Sequence, residues 1–284
     1  MKTVAVIGID LGATNLRLGR MSRGAKPEIT SARINNSGSE DEVMQDLFML
    51  TDPVINGSVK AIGIGVPGVV DLEQGIVYDV QYIPSWKKVQ LKKKMEERYG
   101  IPVLVNNDAN CFALGEHYFG KGKDHRSMIG LTIGTGLGAG IILENKLYCG
   151  SNCGAGEFGM VDYLDRIYEF YASGSFFQNV YQLEGEVVFK KAGAGDQEAL
   201  RMYEELGTHL GNAIKMIMYT YDVDLIVLGG SVRFAWPYFA GSMWRRIRTF
   251  AYTRSVERLR IEPSELENSG VLGAAALCFD SFGF

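Results

Sequence analysis

Ile7-Gly8-Ile9-Asp10-Leu11-Gly12-Ala13-Thr14 returns, 122 residues later, as Ile129-Gly130-Leu131-Thr132-Ile133-Gly134-Thr135-Gly136. Each copy runs a short apolar stretch into a Gly/Thr turn and on into a second apolar stretch, Leu16 to Met21 and Ala139 to Leu143. The spacing predicts a strand, a phosphate-sized turn and a strand, made twice. Glycines let backbone N–H groups approach phosphate, and threonine adds a hydroxyl donor. Two such turns facing each other across a cleft are suited to grip a nucleoside triphosphate from both sides.

Working outward, Val4 to Asp10, Leu16 to Met21 and Ile29 to Ile34 read as a strand meander with a turn at Ser22-Arg23-Gly24. A helix is expected from Glu40 to Leu50, and Val59 to Val66 is an apolar run ending at Pro67-Gly68. Lys88 to Tyr99 sets Leu91, Met95 and Tyr99 at helical spacing and stops at Gly100. Pro102 to Val105 is a short strand, and Ala109 to Tyr118 a helix. In the second half, Leu200 to Tyr221 puts Tyr203, Leu206, Leu210, Ile214, Ile217 and Tyr221 on one helical face. Asp224 to Leu228 is a buried strand ending at Gly229-Gly230, and Gly270 to Leu277 a small-residue helix. Alternating strands and helices in both halves imply an α/β protein with two sheets of related topology. No Pro/Ser-rich linker separates the halves, so a short boundary is expected near Gly120-Lys121-Gly122.

The 284 residues are 46% hydrophobic and 22% charged, enough for one large or two medium domains with a sizeable core. A net charge of -4, with no run of like charge longer than Lys92 to Lys94, leaves no basic footprint for nucleic acid. No stretch reaches the roughly 18 apolar residues of a membrane span, and Met1-Lys2-Thr3-Val4 lacks a signal-peptide layout, so a cytoplasmic protein is expected. Cys111, Cys149, Cys153 and Cys278 form no CxxC pair, which fits a reducing compartment. Cys149-x3-Cys153 offers at most half a metal site, since none of the three histidines is near in sequence.

Between the two turns lies Val105-Asn106-Asn107-Asp108-Ala109-Asn110, a polar cluster where an apolar strand gives way to a helix. Ligands of open α/β sheets bind at the carboxyl ends of strands, so Asp108 is well placed to be a base. The competing reading is that Asp108 caps the helix. An aspartate between two phosphate turns suggests phosphoryl transfer, in which the protein positions a nucleophile and accepts its proton.

On these motifs the chain resembles the sugar kinases of the actin/hexokinase/heat-shock-protein ATPase superfamily, and within it the ROK family of repressors, open reading frames and kinases. Asp10-Leu11-Gly12-Ala13-Thr14-Asn15 is similar to the family's first phosphate motif, and Gly63 to Gly68 to its sugar-side Gly-Pro-Gly loop. Asn107-Asp108-Ala109-Asn110 matches the catalytic motif, Gly134-Thr135-Gly136-Leu137-Gly138 the second phosphate loop, and Gly229-Gly230-Ser231 the adenosine loop. Gly156-Glu157-Phe158-Gly159, followed by Tyr168-Glu169, is similar to the substrate region.

The resemblance implies a glucokinase-like fold of two lobes with ribonuclease-H-like, actin-like ATPase topology and an active-site cleft between them. Residues 1–118 would form the N-terminal lobe, with a C-terminal helix over 272–284 packing back on it, and 119–271 the C-terminal, nucleotide-side lobe. It implies ATP- and Mg²⁺-dependent phosphorylation of a hexose, glucose or a close relative, with Asp108 as general base. An intrinsic carboxyl pKa of about 3.9 keeps such a base ionised at neutral pH. Asn107, Asp108, Glu157, Glu169 and Gly68 would face the sugar. Asp10 would hold Mg²⁺ through water, and Gly12, Thr14, Asn15, Gly134, Thr135, Gly136, Gly229 and Gly230 would hold the nucleotide. Gln81 falls where the family often has a substrate-loop asparagine. Family analogy adds a homodimer.

The chain departs from the family at two points. The histidine usual after the Gly-Glu-x-Gly stretch is Met160, and the Cys-rich zinc segment is reduced to Val161 to Tyr168, without Cys or His. No zinc site is therefore expected, and sugar preference is expected to shift. Without a helix-turn-helix segment ahead of the first strand, a repressor role is not expected. The alternatives are a non-catalytic sugar or nucleotide sensor of the same fold, and an ATPase acting on a protein partner.

Overall fold

The computed structural model describes residues 4–12, 14–22, 26–80 and 82–283. Ala13 of the first phosphate turn, Arg23 and Gly24 of the expected hairpin turn, Gln81 and the start of the chain at Met1 to Thr3 lie outside the described residues. The chain runs β1 (Ala5–Leu11), β2 (Asn15–Ser22), β3 (Glu28–Arg33), α1 (Glu40–Thr51), β4 (Val59–Val66), β5 (Val69–Asp71), β6 (Ile76–Tyr78), β7 (Lys88–Val89), α2 (Leu91–Tyr99), β8 (Val103–Asn107) and α3 (Asp108–Phe119). There follow β9 (Met128–Ile133), β10 (Leu137–Leu143), β11 (Lys146–Tyr148), β12 (Asp162–Tyr163), β13 (Arg166–Ile167), α4 (Tyr168–Ala172), α5 (Phe176–Tyr181), α6 (Gly185–Gly193) and α7 (Gln197–Tyr221). The last elements are β14 (Leu225–Gly229), α8 (Trp236–Ile247), α9 (Thr253–Arg258), β15 (Arg260–Pro263) and α10 (Ser269–Phe282).

Two compact units result. One takes the described residues up to Lys123, Lys146–Ala155 and the chain from Leu266; the other is Asp124–Asn145 with Gly156–Glu265. These limits differ from a single break after residue 118 and a return at 272. Leu266 onward joins the first unit because α10 begins at Ser269 and is built into that unit's sheet. Lys146–Ala155 joins it because Cys149 and Cys153 contact Asn106 and Asn110.

The first unit's sheet has the order β3-β2-β1-β4-β8, with β1, β4 and β8 parallel. Strand side chains alternate between faces. Ile7, Ile9, Ile62 and Ile64 point to a face packed with Val43 and Leu47 of α1 and Leu91 and Met95 of α2. Val6, Gly8, Ala61 and Gly63 point the other way, to α10. There the fit is backbone on backbone. A Cβ on Gly8 would stand 2.1 Å from the Val271 carbonyl oxygen, one on Gly63 1.8 Å from that of Ala274, and one on Gly273 1.6 Å from that of Cys111 in α3.

In the second unit, β9 lies between antiparallel β10 and parallel β14, and β14 pairs in parallel with β15. The stripe read from the sequence is the inner face of α7: Tyr203, Leu206, Leu210, Ile214 and Ile217 are buried. Two expectations need correction. Lys88–Val89 is strand, not the start of a helix, because Val89 pairs with Val77 and its side chain is buried; Gln90 is non-helical and α2 starts at Leu91. The cap of α3 is Asn107, whose side chain accepts from the Ala109 N–H, so Asp108 is the first helical residue.

Substituting alanine for Gly63 is expected to destabilise the protein by about 3 kcal/mol, the upper part of the overpacking range, because both atoms in conflict are backbone. Gly57→Ala, where no heavy atom lies within 4 Å of the new carbon, is expected to leave the urea midpoint within experimental scatter. Paired urea titrations check both.

Candidate functional site

Asp10, at the end of β1, stands opposite Gly65 of β4, and Gly65 stands opposite Asn106 of β8. At about 4.8 Å per strand, Asp10 and Asn106 are about 10 Å apart across the carboxyl ends of three parallel strands. Asp10 belongs to the glycine face, like Gly8 and Gly63, so its carboxylate points toward the start of α10. A Cβ on Gly270 would lie 2.8 Å from its Cγ. Burial raises the Asp10 pKa, and Arg17, its cross-strand partner on β2, offsets this in part.

β8 turns directly into α3. Asn107 Oδ1 accepts the Ala109 N–H at 2.8 Å, while its Nδ2 donates to the Gly68 carbonyl at 3.2 Å, tying the Gly-Pro-Gly loop to the Asp108 turn. Asp108 Oδ1 also accepts the Ala109 N–H, at 2.9 Å, and the positive end of the helix favours its charge. A Cβ on Gly65 would lie 3.1 Å from Cys111 Sγ and 3.8 Å from Asp108 Cα. Burial pushes the Cys111 thiol well up, and the charges of Asp10 and Asp108 push it further. Gly65 stands opposite Asp10 and its Cβ position faces Asp108, so the two carboxylates flank one small region. At the β1–β2 turn, Gly12 N–H donates to the Asn15 carbonyl at 2.9 Å and Asn15 Nδ2 to Thr14 Oγ1 at 3.0 Å.

The second unit gathers a different set. Gly229 pairs with Thr132, which brings the end of β14 beside the Gly134-Thr135-Gly136 turn. Gly230 has φ 75° and a Cβ position 2.2 Å from the Ile133 carbonyl oxygen, so no side chain fits there. Arg233 holds that loop by donating Nη1 to the Gly230 carbonyl at 2.7 Å and Nε to the Ser264 carbonyl at 3.2 Å. The turn itself is closed by Gly134 N–H to Gly136 O at 3.0 Å, while the Gly134 carbonyl accepts Gly174 N–H at 2.7 Å. Ser175 Oγ donates to the Thr135 carbonyl at 2.7 Å.

Glu169, on α4, reaches the same turn. Its Oε2 accepts the Leu137 N–H at 2.9 Å and lies 2.6 Å from where a Cβ on Gly136 would be. Glu157 is close enough for the Glu169 charge to matter: burial raises the Glu157 pKa, and Glu169 raises it further. The Glu157 segment packs directly on β10, with a Gly156 Cβ position 2.1 Å from the Ala139 carbonyl oxygen. Met160 is exposed.

The predicted residues thus fall into two groups. Asp10, Gly12, Thr14, Asn15, Gly68, Asn107 and Asp108 occupy the strand ends of the first unit, while Gly134, Thr135, Gly136, Glu157, Glu169, Gly229 and Gly230 belong to the second. Sequence reading passed over Arg17, Gly174, Ser175 and Arg233. Arg17 was findable from the hairpin register that sets it opposite Asp10; the other three act through loop carbonyls and left no spacing signal.

A ROK family profile matches residues 6–281. The chain is 27% identical to a glucokinase of Thermotoga maritima over the full length of both. It superposes on a ROK family glucokinase from Streptomyces griseus, solved in complex with glucose and AMPPNP, with a TM-score of 0.80 at 26% identity, covering 96% of this chain and 98% of that one. It is also 30% identical to a xylose repressor of Bacillus subtilis, over 78% of this chain and 61% of that one. With duplicated glycine turns, parallel strand ends and a match spanning nearly its whole length, this chain has the two-lobe actin-like ATPase fold and belongs to the ROK family.

Proposed function

We propose that this protein is an ATP-dependent sugar kinase that phosphorylates a hexose, glucose or a close relative, with Asp108 as the general base. The observation that carries the reading is the pair of carboxylates, Asp10 at the end of β1 and Asp108 at the start of α3 directly after β8, on the two strands that flank β4. Sugar kinases among its relatives support it, as does the nucleotide AMPPNP held by the Streptomyces griseus protein.

In this reading Asp108 accepts the proton of the sugar hydroxyl as that oxygen attacks the γ-phosphate in line. Asn107 sets the geometry by clamping Gly68 to the same turn, so that the sugar-side loop and the base move as one piece. Asp10 is the residue that would hold Mg²⁺. Its enclosed carboxyl is disfavoured as an anion, and a hard cation would restore the ionised form. A cation held there would supply charge neutralisation to the triphosphate. The turns at Gly12 to Asn15 and at Gly134 to Gly136 offer donors to phosphate, and Gly229-Gly230 presents bare backbone to the adenosine. Glu157 and Glu169 accept hydrogen bonds from sugar hydroxyls, with Glu169 aimed by the Leu137 N–H.

The Bacillus subtilis xylose repressor among the relatives favours a second reading, a sugar-binding sensor without catalysis. ATP-coupled turnover over a panel of hexoses separates the two. The kinase reading expects turnover on at least one hexose and a fall in kcat of about 10²- to 10⁴-fold in Asp108→Asn, with sugar binding retained. Sugar binding with no turnover on any hexose would make it a sensor, and ATP hydrolysis independent of sugar would make it an ATPase.

The pH profile carries a second expectation. Glu157 accepts more strongly from hydroxyls when ionised, and burial and the Glu169 charge raise its pKa above the ordinary glutamate value. The acid limb of kcat/KM should therefore lie above the ordinary glutamate range. In Glu169→Gln one of the two causes is gone, so that limb should move to lower pH; an unmoved limb would detach Glu157 from the titration.

A further inference from the structure

The sulfurs of Cys149 and Cys153 rest on the same two amides behind the Asp108 turn, those of Asn106 and Asn110. Asn106 Nδ2 donates to Cys149 Sγ at 3.5 Å, and Cys153 Sγ donates to Asn106 Oδ1, also at 3.5 Å. Asn110 Nδ2 reaches Cys149 Sγ at 3.6 Å, Cys153 Sγ at 3.7 Å and Asn106 Oδ1 at 2.9 Å. Among the described residues Asn110 Oδ1 is buried without a partner, and the contacts of this amide run through its NH₂ end. The chain folds back to make the thiols meet: Gly150 and Cys153 are left-handed, at φ 71° and 56°, and Ala155 N–H donates to the Cys149 carbonyl at 3.2 Å.

All four cysteines are free thiols. Cys111 and Cys278 are buried, with no second thiol in hydrogen-bond contact, and burial holds both thiols protonated, Cys278 up to about 12. The pair differs. Cys149 is part exposed and Cys153 is buried, and both sulfurs reach Asn106 Oδ1 and Asn110 Nδ2. Two sulfurs held on the same partners, one of them with access to solvent, are what dithiol chemistry needs.

We propose that Cys149 and Cys153 form a reversible oxidation site for hydroperoxides, converting between a dithiol and an intramolecular disulfide. The Cys149 sulfur, the part-exposed one, attacks an oxygen of hydrogen peroxide as the thiolate; the O–O bond breaks, giving Cys149 sulfenic acid and, once the departing oxygen takes up a proton, water. The Cys153 sulfur then attacks the Cys149 sulfur; an S–S bond forms, the S–O bond breaks, and the hydroxyl leaves as water with the Cys153 proton. The net change takes two thiols and one peroxide to a disulfide and two waters, with sulfur oxidised and peroxide oxygen reduced. A small-molecule dithiol reverses it.

A disulfide requires the sulfurs to close to about 2.05 Å, which neither could do while keeping its present place on both amides. Asn106 would lose its S–H donors, and the same Oδ1 also accepts the Asn107 N–H at 2.8 Å. The change therefore reaches the residue that clamps Gly68. Resting on the sugar-kinase reading, the oxidised form is expected to show a sugar KM raised severalfold and returned to its starting value by reduction.

The test treats the native full-length chain with hydrogen peroxide, blocks remaining thiols with an alkylating agent and maps the tryptic peptide running from Leu147 to Arg166, which contains both cysteines. Two of the four thiols should be protected, with that peptide lighter by two hydrogen atoms. In Cys149→Ser and, separately, Cys153→Ser, the protection and the change in sugar KM should both disappear. Two free thiols in that peptide after oxidation, or a disulfide to Cys111 or Cys278, would overturn the site. A mapped 149–153 disulfide with unchanged sugar KM would overturn its coupling to the Asp108 turn. Absence of turnover on every hexose in both redox states would count against the kinase reading and leave the thiol map standing.

Discussion

The contact on which the first unit depends is that of α10 with β1, β4 and α3, where backbone meets backbone at Gly8, Gly63 and Gly273. Such closeness is open only to residues without a Cβ. The larger apolar cluster lies on the opposite face of the same sheet, where Ile7, Ile9, Ile62, Ile64, Leu47 and Trp86 are sealed from solvent. The division has a chemical consequence. Asp10 continues the glycine face by strand alternation, so the close fit that brings α10 down also delivers its start to the Asp10 carboxylate. Gly65 does the same for α3, whose first residue is Asp108.

In the second unit the constraint is electrostatic. Glu157 and Glu169 are close enough to repel, and Glu169 stands against the turn at Gly136. The Leu137 N–H offsets part of this for Glu169, while Glu157 carries a raised pKa. Charge placed against its own solvation in this way is common at functional sites and rare in ordinary surfaces. Arg233 and Ser175 stabilise the loops around the turn through carbonyl oxygens. They are a support that any reading of the corner as a binding site needs.

Much of this was legible in the sequence. The duplicated turn gave two strand–turn–strand units because apolar runs and Gly/Thr clusters are local signals, and the buried stripe of α7 followed from its period. What was not legible was non-local. Lys88–Val89 sits at helical spacing from Leu91, yet pairing with β6 wins over that pattern. Asn107 and Asp108 are both good caps, and only the geometry says which one caps. Glu169 was read as a sugar ligand from its neighbours in the motif, while its bond to Leu137 joins residues 32 apart in sequence. The cysteine pair carried no usual spacing at all; its meaning comes from Asn106 and Asn110, more than 30 positions away.

The central claim is that Asp10 and Asp108, fixed by one glycine-lined face, hold a metal and a sugar hydroxyl as near neighbours. Replacing Mg²⁺ with paramagnetic Mn²⁺ and measuring its relaxation of the protons of bound hexose in the presence of nucleotide tests this directly. The account predicts strong relaxation that disappears in Asp10→Asn and persists in Asp108→Asn. Relaxation unaffected by the loss of the Asp10 carboxylate, or none in the unaltered protein with both ligands bound, would contradict it.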